Sequence, residues 1–270
     1  MEKNIVEICK KYNLPGNATL ECFVHSDNRE MHDMVQSMPC MIVCPGGGYH
    51  FVSEREAEPI AIEFYNRNYN AFILRYDIAP ARYPLALTQL ACCVDYVRKN
   101  AEMLHVDPDK IYVCGFSAGG HLVGCLANFH DTLPCDFIDT SALDAKPNAV
   151  ILSYPVIYPS SHVSSYKNLL GEEMNNDALV EKLTLDHTVT EKNPPCFIWS
   201  TFEDNCVRPD ATLRYMTALY NKGVKSECHI FANGGHGGST CDGRVYSGDF
   251  SALAPASVWL NLADTFLKTL

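Results

Sequence analysis

Residues 110–122, K-I-Y-V-C-G-F-S-A-G-G-H-L, decide the fold. Lys110–Cys114 is a short apolar run rich in β-formers and predicts a buried strand. His121–His130 predicts a helix. Between them stands Gly115-Phe116-Ser117-Ala118-Gly119, a G-x-S-x-G pattern on a strand-to-helix turn. A serine on so tight a turn is held in a strained conformation with its Oγ exposed. The residues two before and two after it must be small because the turning chain crowds them. The helix N-terminus adds partial positive charge that favours a developing anion. A five-residue glycine pattern also arises by chance, and its serine could be only a helix N-cap. The flanking strand and helix give Ser117 the reading of a nucleophile.

Outward from this turn, β-rich apolar runs alternate with amphipathic segments. Strands are predicted over Ala18–His25, Pro39–Cys44, Asn70–Tyr76, Ala149–Tyr154, Pro195–Thr201 and Lys225–Phe231. Helices are predicted over Glu54–Asn66, Pro84–Asn100, Arg208–Asn221 and Ala256–Leu270. Leu87, Leu90, Ala91, Val94 and Val97 recur at helical spacing in the second of these. Such alternation predicts an α/β fold, a doubly wound and mostly parallel sheet with helices on both faces. With no repeat or linker, residues 1–270 read as one domain. Periodicity weakens between Tyr158 and Asn193, so residues 158–193 are expected to be a lid-like insertion above the sheet.

Cys44-Pro-Gly-Gly-Gly-Tyr49 follows another predicted strand. Consecutive glycines let backbone N–H groups face a ligand, and a serine hydrolase needs such donors for the oxyanion of its tetrahedral intermediate. The amide of Gly47 or Gly48, with that of Ala118, fits this role, although a proline stands where H-G-G-G loops carry histidine. A phosphate loop is excluded because no G-K-S/T follows. Tyr49, beside this loop, is a candidate for the wall of the acyl pocket or for the core.

A serine nucleophile needs a histidine base and a carboxylate to orient it. The histidines after Ser117 are 121, 130, 162, 187, 229 and 236. His236 lies in A-N-G-G-H-G-G-S, just past the last predicted strand, where ligands bind in open α/β sheets. His121 sits on the nucleophile helix and His229 inside a strand. For the acid, Thr201-Phe-Glu-Asp-Asn-Cys-Val207 follows a predicted strand, and spacing alone leaves both Glu203 and Asp204 open.

The chain has 270 residues, 47% of them hydrophobic, and 32 acidic against 21 basic residues give a formal net charge of −11. That charge argues against a phosphate-backbone binder, so no nucleic-acid partner is expected. No apolar run is long enough to span a membrane, and the first residues lack the continuous apolar stretch of an export signal. A cytoplasmic location is therefore expected. The thirteen cysteines lack zinc or redox spacing and read mostly as reduced, buried small hydrophobes.

With these motifs in place, the chain resembles the α/β-hydrolase superfamily. More narrowly it resembles the bacterial esterases grouped with feruloyl and acetyl-xylan esterases. The resemblance runs through V-C-P-G-G-G-Y, R-E-A-E-P at 55–59, A-F-I-L-R-Y at 71–76, residues 106–122, S-Y-P-V-I at 153–157, the D-N-C-V turn and H-I-F-A-N-G-G-H-G at 229–237. It implies Ser117 as nucleophile and His236 as base. The family's acid stands three residues before a valine, which prefers Asp204 over Glu203. Two positions depart from the pattern, Ser200 and Arg208, and Arg208 could reach an anionic substrate group or simply be solvated.

The resemblance implies a carboxylesterase acting on short acyl esters, acetyl above all, of sugars or xylo-oligosaccharides, without metal or organic cofactor. A small-molecule ester is the expected partner, and a homo-oligomer is a further expectation. The competing readings are a peptidase of the prolyl-oligopeptidase type and an inactive hydrolase fold serving as a small-molecule receptor.

Overall fold

The structure, a computed structural model, describes residues 4–27, 30 and 32–270. Its strands are β1 (Asn4–Glu7), β2 (Thr19–Phe23), β3 (Met38–Cys44), β4 (Asn70–Arg75), β5 (Val106–Phe116), β6 (Ala149–Ser153), β7 (Cys196–Thr201) and β8 (Ser226–Phe231). Its helices are α1 (Ile8–Tyr12), α2 (His32–Val35), α3 (Glu58–Tyr65), α4 (Leu85–Lys99), α5 (Ala118–Phe129), α6 (Val163–Leu170), α7 (Asp177–Lys182), α8 (Asp210–Asn221) and α9 (Trp259–Leu267).

All eight strands form one sheet in the order β1-β2-β4-β3-β5-β6-β7-β8. β1, β2 and β4 pair antiparallel, and every pair from β4 through β8 is parallel. The strands alternate side chains between two buried layers, as period-two geometry requires. Ile42, Val113 and Ile198 face one layer with Leu90 and Val94 of α4, Leu122 and Leu126 of α5 and Leu219 of α8. Met41, Val43, Cys114 and Trp199 face the other, with Phe64 of α3 and Trp259 and Phe266 of α9. The sheet is thus covered on both faces, as the alternating pattern predicts.

The differences from the sequence reading have local causes. α5 starts at Ala118 rather than His121, because Gly119 and Gly120, poor helix formers, are placed in its first turn by steric demand. The predicted helix over Glu54–Asn66 opens as a 3₁₀ turn at Glu54–Glu56, and Pro59 sits at the start of α3. Pro255 likewise sits in a 3₁₀ turn before α9. β1 adds a strand that periodicity does not mark, being only four residues long; Asn4 faces Cys22 and Glu7 faces Thr19 in its register.

Residues 158–193 fold into α6, α7 and short 3₁₀ turns. Tyr166, Leu169, Leu170, Leu183 and Leu185 are buried in the α4–α5 layer, so much of this stretch belongs to the core. All thirteen cysteines are free and ten are buried. Among the described residues no helix is long and apolar enough to cross a membrane.

Parallel strands end on one edge. The loops after β3, β5, β6, β7 and β8 therefore emerge together and carry Gly47, Ser117, Tyr154, Asp204 and His236 respectively.

Candidate active site

Ser117 sits between β5 and α5 with φ 53° and ψ −116°. Left-handed backbone at a residue with a Cβ costs on the order of 1–3 kcal/mol and persists only where the surroundings impose it. Here the Ser117 N–H donates to Ser153 O (3.0 Å), and its carbonyl accepts from His121 N and Val156 N, both at 3.1 Å. The motif glycines are explained by close approach. A Cβ on Gly115 would stand 2.3 Å from Gly119 O, and one on Gly119 would stand 2.2 Å from Cys44 O. The elbow is thus wedged against the end of β3.

The β3 loop is shaped by the same means. Gly47 has φ 122° and its carbonyl accepts from His50 N and Phe51 N. Gly46 N–H donates to Glu56 Oε2 at 2.8 Å. Gly47 and Gly48 come next, and both line a cavity of about 340 Å³ with Ser117 and His236. Ala118 is the first residue of α5, where backbone N–H groups lack an intrahelical acceptor. Gly47, Gly48 and Ala118 therefore all lie close to the serine.

His236 lies between two further groups. Its Nε2 is 2.8 Å from Ser117 Oγ and its Nδ1 is 2.7 Å from Asp204 Oδ2. Asp204 is buried, and its Oδ1 accepts from Cys206 N and Val207 N, both at 2.9 Å. Glu203 points elsewhere, accepting from Gly234 N at 3.0 Å. The two acids thus divide the work: Asp204 meets the imidazole, and Glu203 pins the loop that carries it. Tyr246 fastens the other side of that loop through its hydroxyl, which donates to Gly237 O at 2.9 Å.

Behind the imidazole stands the Tyr154 ring, edge-on at 5.0 Å between centroids. The Tyr154 hydroxyl donates to Glu56 Oε1 (2.8 Å) and accepts from Ser239 N (2.9 Å). Glu56 is 4% exposed. One carboxyl group therefore ties the glycine loop to the ring that backs His236. Sequence reasoning assigned no role to Glu56 or Tyr154. Glu54, Glu56 and Glu58 look alike in the chain, and only the fold distinguishes the middle one.

Two substrate-contact candidates are corrected, each to the alternative the sequence left open. Tyr49 does not line the cavity. It is 2% exposed, and its hydroxyl meets His121 Nδ1 at 2.9 Å in the core. A backbone φ of 56° turns its side chain inward. His121 Nε2 is 3.1 Å from Leu183 O, and burial pushes its pKa down to about 4. Arg208 also stays out of the cavity. It is solvated and pairs with Asp210 (3.2 Å) at the start of α8.

The cavity's other walls include Phe51, Arg55, His162, Asn168 and Cys206. Among the described residues no group of three or more His, Cys, Asp or Glu side chains is disposed to hold a metal ion. What is present is a hydroxyl aligned on an imidazole, a carboxylate behind that imidazole, and a glycine loop lining the same cavity. Such a set can transfer an acyl group.

This sheet order, with serine, acid and histidine following β5, β7 and β8, is the α/β-hydrolase fold. Within it the chain belongs to the BD-FAE family, whose model matches residues 30–219. Endo-1,4-beta-xylanase B of Butyrivibrio fibrisolvens is 36% identical over 225 residues, covering 81% of this chain and 35% of that protein. An acetylxylan esterase of Xylanibacter ruminicola is 27% identical over 243 residues, covering 86% of this chain and 46% of that protein. The chain thus spans between a third and a half of these curated relatives. A solved acetyl ester-xyloside bifunctional hydrolase from Caldicellulosiruptor lactoaceticus superposes with a TM-score of 0.84 at 28% identity, covering 98% of this chain and 96% of that one.

Proposed function

We propose that this chain is a serine carboxylesterase that removes short acyl groups, acetyl above all, from sugars or xylo-oligosaccharides. The observation that carries the reading is the continuous chain Ser117 Oγ–His236–Asp204, with separations of 2.8 and 2.7 Å. The similarity to an acetylxylan esterase and to an acetyl ester-xyloside hydrolase supports the substrate class.

In this mechanism Ser117 Oγ attacks the ester carbonyl while His236 Nε2 takes its proton. Asp204 holds the imidazole with its proton on Nδ1 and stabilises the imidazolium. The tetrahedral oxyanion is met by the amides of Ala118 and of Gly47 or Gly48, each donor contributing roughly 3 kcal/mol in the transition state. His236 then protonates the leaving alcohol, an acyl-serine remains, and water repeats the sequence to release the acid.

Hydrolysis of 4-nitrophenyl acetate by the wild type and by Ser117→Ala, alongside an acetylated xylo-oligosaccharide, tests this. Activity on both esters that falls to near background in the variant is the expected result. Equal activity of the two proteins would refute the nucleophile, and cleavage of peptides in place of esters would refute the substrate class.

A further inference from the structure

The stretch between β6 and β7 sends one more polar side chain into the cavity. His162 precedes α6 and caps it: its Nδ1 accepts from Ser165 N at 3.3 Å and lies 2.8 Å from Ser165 Oγ. Ser165 N–H is shared between this nitrogen and His162 O at 3.1 Å, and with Nδ1 as acceptor the neutral ring holds its proton on Nε2. Burial and the neighbouring His236 lower the His162 pKa, so the neutral donor form persists through neutral pH.

Nε2 has no hydrogen-bond partner among the described residues. The ring edge faces the glycine loop: Cε1 lies 3.8 Å from where a Cβ on Gly48 would stand. Asn168, also on α6, donates to Gly48 O at 2.9 Å and holds helix and loop together. The cavity therefore contains a fixed N–H donor beside Gly48 and within electrostatic reach of His236.

The leaving alcohol must approach His236, which hands it a proton. His162 lines the same cavity as His236 and is near enough for the two rings to interact electrostatically, so its donor can meet an oxygen close to the scissile ester. In a sugar, that oxygen is the hydroxyl on the neighbouring carbon. We propose that His162 is a specificity residue that donates through Nε2–H to the hydroxyl vicinal to the ester, so that polyol esters are preferred over simple alkyl esters. The proposal rests on the esterase reading above.

The test pairs two substrates with two proteins. The substrates are a monoacetylated methyl xyloside and its analogue with hydrogen in place of the hydroxyl on the neighbouring carbon. The proteins are the wild type and His162→Asn, whose side chain still caps α6 but is too short to reach the substrate. The wild type should lose about three- to tenfold in kcat/KM on deoxygenation, the range of one neutral hydrogen bond. His162→Asn should discriminate less than about twofold, as should His162→Ser, a second variant able to cap.

Equal discrimination by wild type and variants overturns the proposal, as does an equal fall on both substrates, which would mark an oxyanion or structural role. Absence of discrimination in the wild type overturns it without any variant. Failure of the wild type to cleave either ester is a different result, and refutes the esterase reading itself.

Discussion

Removing the Glu56 carboxyl group should damage stability and rate together. Its two oxygens accept from Gly46 N and Tyr154 Oη, both at 2.8 Å, at a site 4% exposed. In Glu56→Ala both donors lose their acceptor. An unsatisfied buried donor costs about 1–3 kcal/mol, so the pair costs roughly 4 kcal/mol, less whatever water entering from the cavity recovers. For a chain of this size that is a fall of about 10 °C in Tm.

Glu56→Gln is gentler by the same accounting. The amide oxygen can accept from Gly46 N, and the amide nitrogen can donate to Tyr154 Oη. Only the tyrosine proton is then left without an acceptor, at about 1–2 kcal/mol. Because Gly46 adjoins Gly47, and Tyr154 backs His236, kcat should fall about tenfold in the glutamine variant, with a smaller change in KM. Calorimetric melting and initial rates on 4-nitrophenyl acetate read both effects. An alanine variant melting within 2 °C of wild type, with kcat within about twofold, would refute the idea that this carboxyl group holds the two loops in register.

The two neighbouring acids should separate cleanly. Asp204→Asn should lower kcat by roughly 10³–10⁴-fold, because the imidazole loses the carboxylate that fixes its tautomer, whereas Glu203→Gln should cost less than about tenfold, and the reverse order would exchange their roles. His121 makes stability fall in mild acid. Its folded pKa of about 4 lies below the ordinary value of 6.5, so the unfolded chain takes up the proton first as pH drops. That contribution is whole above pH 6.5 and is lost progressively down to about 4. Urea denaturation at pH 7.5 and pH 5 should differ by about 2 kcal/mol from this group, and the difference should vanish in His121→Gln.

The parts of the site that were legible in the sequence are those whose constraints are local. Gly115 and Gly119 are demanded by contacts within the elbow and with the end of β3, so the motif announces itself in five residues. The loop histidine is marked by its glycines. The acid was not decided by the residues alone, because Glu203 and Asp204 are adjacent and chemically alike. The turn decides between them: the shorter side chain folds back onto Cys206 N and Val207 N and offers its second oxygen to His236, and the longer one reaches Gly234. Tyr49 stays open between pocket wall and core in the sequence for a related reason, since its positive φ and its partner His121 are tertiary features that no motif encodes.

Glu56 and His162 show why the remainder was not legible. Glu56 joins partners ten residues away and ninety-eight residues away, and no periodicity encodes such a pairing. His162 lies where the helical pattern is weakest, because α6 and α7 span eight and six residues and leave too few apolar repeats to read. Parallel strands bring the reactive groups to one edge, but they leave each group on its own loop. The relative positions of those loops are then fixed by side chains outside the Ser117–His236–Asp204 line: Glu56, Tyr154, Glu203 and Asn168. A sequence motif names the reacting group, whereas the register between groups is a tertiary property. Substitutions at these four residues should therefore change rate without changing which residue is the nucleophile.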